Sequence, residues 1–130
     1  MKEISKLEAA NRQLCTAIRL FFDNGDAIAI HSLACAAREI YEKNCARARK
    51  PRMVDVLVRA YPDYTEKAIF DLINKARNFF KHGETSLQDK IAFSDRMNDF
   101  QILSACYDCL EIAPVNLPIE AQTIVPDAVG

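Results

Sequence analysis

Apolar residues recur every three or four positions through four long stretches and one short one, the period of helices that bury one face. In the first, from Ile4 to Asp23, the residues Ile4, Leu7, Leu14, Ile18 and Phe21 form a seam, and Asn24-Gly25 ends it. Asp26 is placed to cap a second helix that reaches about Arg49 and sends Ile30, Leu33, Ala34, Ala37, Ile40 and Tyr41 inward. The turn between the two is very tight, so they should lie antiparallel, and the many alanines of the second helix suit it to the centre of a bundle. Val54, Leu57, Val58 and Tyr61 mark a short connector helix from Met53 to Tyr61, stopped by Pro62. Thr65 with Glu66 opens the next helix and Gly83 closes it as a residue just past the last turn.

Beyond Gly83 the segment Glu84 to Phe93 is polar apart from Leu87, Ile91 and Phe93, and suits a loop or lid. Ser94 or Asp95 is expected to cap the last long helix. Its Met97, Phe100, Leu103, Ala105, Tyr107, Leu110 and Ile112 spread over more than one side, so part of that surface could serve a dimer contact. Pro114, Pro118 and Pro126 keep the tail from continuing the helix, yet Val115, Leu117, Ile119, Ile124 and Val125 are too apolar for a solvated end. The expectation is an all-α antiparallel bundle of four main helices plus one short helix over residues 1–113. Residues 114–130 form a tail strapped to that bundle or to a partner.

Composition narrows the classes. With 130 residues, half of them apolar, and only three glycines, the chain has material for one domain and one core and no linker composition. No signal peptide or transmembrane span is read from it. Cys15, Cys35, Cys45, Cys106 and Cys109 are an odd set without an export signal, which points to a reduced, cytoplasmic protein with packed thiols. Cys106-x-x-Cys109 falls in a periodic helix and has no second ligand pair, so neither a metal nor a cofactor is expected. The net charge of −1 makes the whole protein no general trap for nucleic acid. The compact basic group Arg47, Arg49, Lys50 and Arg52 reads either as a phosphate contact or, more simply, as cations at a helix C-terminus. His31 reads as a hydrogen-bonded histidine at a packing edge, with a second proton carrier as the alternative. Gly-rich phosphate loops, paired metal carboxylates and nucleophilic-serine arrangements are not found at the spacing they require.

What remains for chemistry is Arg77-Asn78-Phe79-Phe80-Lys81-His82, followed by Gly83. At about 100° per residue, Leu72, Ile73, Ala76, Phe79 and Phe80 fall in one apolar arc. Asp71, Asn74, Lys75, Arg77, Asn78, Lys81 and His82 fall in the other. Asn78 and His82 are four apart, a spacing at which the amide can orient the imidazole. Arg77 and His82 are about 140° and about 7.5 Å apart on one helix, so a single copy does not aim both at one atom; two copies across a two-fold axis can. Arginine offers forked donors to phosphate oxygens, and histidine both takes and gives protons near neutral pH. These are the parts of a metal-independent RNA cleavage site, with Asn74 and Lys81 on the same arc as candidate substrate contacts.

Arg77-Asn78-x-x-x-His82 resembles the signature of the higher eukaryotes and prokaryotes nucleotide-binding (HEPN) domains, in which an Arg, a polar residue, three variable residues and a His end a bundle helix. Ile30-His31-Ser32-Leu33-Ala34 together with Arg77 to His82 also resembles a group of small uncharacterised bacterial proteins. The HEPN resemblance implies a homodimer that pairs two motifs into one endoribonuclease site, with Arg77, Asn78 and His82 as the matching catalytic positions. It further implies an RNA substrate, a toxin or defence role, and an antitoxin or nucleotidyltransferase as partner. Some members lack nuclease activity, so a non-catalytic helical module that binds a nucleotide or a protein is the alternative.

Overall fold

A computed structural model describes residues 1–125. Among them are six α-helices and one 3-10 turn, with no strand: α1 (Lys6–Phe22), α2 (Ala27–Arg47), α3 (Met53–Ala60), α4 (Glu66–Lys81), α5 (Met97–Ile112), the turn Pro114–Asn116, and α6 (Ile119–Gln122). The all-helical expectation holds. No helix among the described residues is long and apolar enough to cross a membrane.

Side-chain caps start three helices, two of them, at Asp26 and Thr65, where the sequence places them, and the third at Ser5, one residue inside the expected start at Ile4. Ser5 accepts from the Glu8 N–H, Asp26 from Ala29 and Thr65 from Ala68, each answering one of the amides a helix start leaves unpaired. Two ends are Schellman turns. Gly25 N–H donates to the Leu20 carbonyl at 2.7 Å while Asn24 takes φ 55°. After α2, Lys50 N–H donates to Cys45 and Arg49 N–H to Ala46, with Arg49 at φ 57°. Gly25 is required by close approach rather than by its torsion, since a Cβ there would lie 2.9 Å from Leu20 Cδ2.

The core sits where α2 packs between α1 and α5. Ala10, Leu14, Ala17 and Ile18 of α1 meet Ile30, Ala34, Ala37 and Tyr41 of α2, which meet Ile102, Ala105, Cys106 and Cys109 of α5. Alanine at five of these positions lets the helix backbones come close. Tyr41 Oη donates to Asn11 Oδ1 at 2.5 Å, a bond across thirty residues that matches two helices folded back on each other. The seam of α1 differs from the expected one at its ends. Ile4 precedes the cap and is exposed, and Phe21 lies at the surface. The cysteines are free, and all but Cys15 are buried.

Two further expectations are corrected. Gly83 is not a left-handed helix terminator: no glycine among the described residues has positive φ, and α4 ends because His82 turns extended at φ −92°, ψ 133°. Neither Ser94 nor Asp95 caps α5 through its side chain. Their carbonyls instead accept from the N–H groups of Met97 and Asn98, a tight lead-in that satisfies the same orphan amides.

The tail straps the bundle of its own chain. Leu117 and Ala121 enter the core, Asn11 Nδ2 donates to the Asn116 carbonyl at 3.0 Å, and Arg19 pairs with Glu120 at 2.8 Å. Prolines stop α5 but start the next turns, with Pro114 at the head of the 3-10 turn and Pro118 as N-cap of α6. Pro126 lies outside the described residues.

Candidate functional site

α4 carries the candidate residues and is anchored to α2 and α5 by polar side chains as much as by packing. Ile69 and Ala76 are its buried residues, and Phe80 meets His31 and Phe93 edge to face at 5.7 and 5.1 Å. Leu72, expected on the packed arc, is 73% exposed. The inward side is therefore rotated toward Ile73, Asn74 and Arg77.

Asn74 faces the protein. Its Oδ1 accepts from the guanidinium of Arg38, which is wholly buried and also donates to Gln101 Oε1 at 2.7 Å and pairs with Glu42. Gln101 Nε2 in turn donates to the Ile73 carbonyl at 2.9 Å. Three side chains, one each on α2, α4 and α5, are thus tied to one cation, which a buried guanidinium needs. Asn74 is engaged in holding α4 in place.

Arg77 is also half-withdrawn, with its side chain 16% exposed. Its Nη1 forms an ion pair with Glu39 of α2, and its Nε and Nη2 donate to Asn78 Oδ1 at 3.2 and 2.7 Å. Asn78 thus fixes the guanidinium; its Oδ1 is not spent on His82. Glu39 also lies 3.7 Å from Lys43. Burial acts to raise the Glu39 carboxyl, but the bond and charge of Arg77 outweigh it and hold the group below the usual carboxylate range.

His82 stands apart as the C-cap of α4. Its backbone N–H donates to the Asn78 carbonyl, and its half-exposed ring has Nδ1 3.8 Å from Glu84 Oε2. Lys81 points to a different neighbourhood. It lines an open cleft of about 560 Å³ with Lys6 and Gln13 of α1 and Glu39, Lys43, Asn44 and Arg47 of α2. One copy of the chain therefore gathers Arg77, Asn78 and Glu39 at one point, Lys81 among other cations at a second, and His82 at a third.

His31 is buried at the α2–α5 contact. Asn98 Nδ2 donates to the Ala27 carbonyl at 3.0 Å, which turns Oδ1 toward His31 Nδ1 at 2.8 Å and makes that nitrogen the proton carrier. Burial, foremost, lowers its pKa and so favours the neutral ring. The basic group near residue 50 divides too. Arg52 is held by Asp55 and Glu66, whereas Arg47 reaches the cleft.

Glu39, Lys43 and Lys6 were not singled out by sequence reasoning. The available signal was Arg38-Glu39 and Glu42-Lys43 in the middle of an otherwise apolar helix, a place where charge needs partners on another element. Among the described residues no group of three or more His, Cys, Asp or Glu side chains could hold a metal ion. No known family model, characterised protein or solved structure matches this chain.

Proposed function

We propose that the chain is a HEPN-type, metal-independent endoribonuclease of the cytosol whose active site is completed by a second copy. With this goes the finer fold assignment, in which α1, α2, α4 and α5 are the four main helices of a HEPN-like antiparallel bundle and α3 the short one. The observation that carries the reading is the separation of labour along α4. Arg77 is turned toward α2 and fixed by Glu39 and Asn78, whereas His82 is half-exposed at the helix end. A fixed guanidinium and a half-exposed imidazole on different sides of one helix are the halves of a site that a two-fold axis can join. Leu72, exposed, and Phe79, one heptad on along the same outer stripe, supply an apolar strip for that contact.

In this mechanism His82 of one copy removes the proton from a ribose 2′-hydroxyl. The oxygen attacks the adjacent phosphorus, and the bond to the 5′-oxygen of the next nucleotide breaks. The leaving oxygen takes a proton from water, the hydroxide so formed is neutralised by the proton His82 gives up, and the products are a 2′,3′-cyclic phosphate and a 5′-hydroxyl. Arg77 of the other copy stabilises the charge on the phosphorus-bound oxygens, held in aim by Asn78. Lys81 contacts the backbone beside the scissile bond.

The test is incubation of end-labelled structured and single-stranded RNAs with wild-type and His82→Ala protein in excess chelator. Cleavage by wild type alone, leaving cyclic phosphate ends, is the expected result. Undiminished cleavage by the variant sinks the assignment. The second reading is a non-catalytic module that binds a nucleotide or protein, and the Glu39–Arg77 pair favours it, because it gives Arg77 a structural occupation. Dimeric wild-type protein that binds a partner but cleaves no RNA selects that reading.

A further inference from the structure

The cleft beside Lys81 is cationic beyond what the chain as a whole would give. The protein has 17 Lys and Arg against 18 Asp and Glu. Around this one cleft stand Lys6, Lys43, Arg47 and Lys81, with Glu39 as the single acid, and that acid is already paired with Arg77. The cations come from three helices far apart in sequence, so the fold brings them together. Ala36 and Ile40 form a small apolar floor between them. Among the described residues Lys6, Arg47 and Lys81 have no carboxylate within ion-pair distance, unlike Arg12, Arg19, Arg52 and Lys67, each of which has at least one. Lys43 and Arg47 are one turn apart on α2, a rise of about 6 Å that suits successive phosphates of an extended strand.

We infer that this cleft binds closely spaced phosphates of a single-stranded RNA backbone and leads the strand toward Arg77. The inference deepens the nuclease reading and rests on it for the identity of the ligand. Glu39 is the link: it touches the cleft on one side and holds the Arg77 guanidinium on the other. A strand lying along Arg47, Lys43 and Lys6 is held by charge without base readout, which predicts weak sequence preference and strong salt dependence. A free nucleoside triphosphate presents the same chemistry and is the competing source.

The experiment measures anisotropy of a labelled, fully 2′-O-methylated single-stranded RNA, which cannot be cleaved through its 2′-oxygen, on the full chain. Variants are Lys43→Glu/Arg47→Glu and, as a control of equal charge change elsewhere, Arg12→Glu/Arg59→Glu. All four positions are at the surface, and circular dichroism checks the fold. The cleft variant should bind roughly tenfold more weakly or worse, with a salt slope about two units shallower, and the control should bind within about twofold of wild type. Equal loss in both variants, no loss in the cleft variant, or no binding by wild type overturns the inference. Displacement of the RNA by ATP at concentrations far below those of competing unlabelled RNA reassigns the cleft to free nucleotide and also overturns it. The two readings fail separately: binding lost in the cleft variant while wild type cleaves no RNA sinks only the nuclease. Cleavage by wild type with undiminished binding by the cleft variant sinks only the cleft.

Discussion

Glu39 on α2 is ion-paired with Arg77 on α4, so the guanidinium read as a phosphate ligand is already held by an acid from another helix. This pair ties the candidate chemistry to the packing of α4, which otherwise rests on two buried residues, the edge-to-face contacts of Phe80 and a set of polar contacts. Both side chains are partly exposed, so their coupling should exceed that of a surface pair and fall short of a fully buried one. A double-mutant cycle of Glu39→Ala and Arg77→Ala in urea unfolding should give about 1 kcal/mol of coupling. Additive effects would mean that the two do not interact in solution.

Glu39 also sets the availability of Arg77. A Glu39→Gln substitution keeps size and hydrogen bonding but removes the competing charge. Under the nuclease reading, affinity for the 2′-O-methylated RNA should rise several-fold at low salt. An unchanged affinity would mean that the strand does not feel the charge at this position.

Asp108 makes stability depend on pH. Its Oδ1 accepts from the Met53 N–H at 2.8 Å and so fixes the start of α3, while its Oδ2 is buried with no partner among the described residues. Burial, aided by the nearby Glu42 and opposed by Arg38, Arg52 and the Met53 bond, lifts its pKa from 3.8 to about 7. The folded state thus holds this proton more tightly than the unfolded one. The carboxyl's contribution to stability is complete below about pH 4 and is lost as pH rises through about 7. Asp108→Asn keeps an acceptor for Met53 and does not titrate. Its unfolding free energy relative to wild type should therefore climb between pH 5 and 7.5, as urea midpoints would record. A constant difference across that range would rule out the shift.

Arg49 occupies a left-handed torsion at the end of α2, where a Cβ is disfavoured. Arg49→Gly should stabilise the protein by about 0.5–1 kcal/mol, after the extra freedom glycine gains in the unfolded chain is deducted. Thermal unfolding measures this, and a lower midpoint would mean that the Arg49 side chain makes a contribution larger than its strain.

Helix order was legible because the apolar period and the caps Asp26 and Thr65 are local signals. Ile4, Phe21 and Leu72 were misassigned because period alone does not say where a neighbouring helix stops. The larger omission was the buried polar stripe Asn98, Gln101, Ser104 and Asp108 on α5, facing His31, Arg38 and Glu42 of α2. Read as a sequence, these residues mark the solvent side, and only tertiary partners make their burial tolerable. Left-handed geometry fell on Asn24 and Arg49 and not on Gly83, since glycine permits that torsion without imposing it. For the site, the motif spacing already showed that Arg77 and His82 diverge. It could not show that Asn74 and Arg77 turn inward, which follows from the rotation of α4 against Arg38 and Glu39.

The composite site is tested most directly by mixing two inactive variants. Under the proposed function, Arg77→Ala and His82→Ala proteins, unfolded together and refolded as a statistical mixture, should give heterodimers in which one site keeps Arg77 from one copy and His82 from the other. Each variant alone should be inactive on RNA in excess chelator, and the mixture should recover about one quarter of wild-type cleavage. A mixture as inactive as its components, beside an active wild type, would contradict a site shared between two copies.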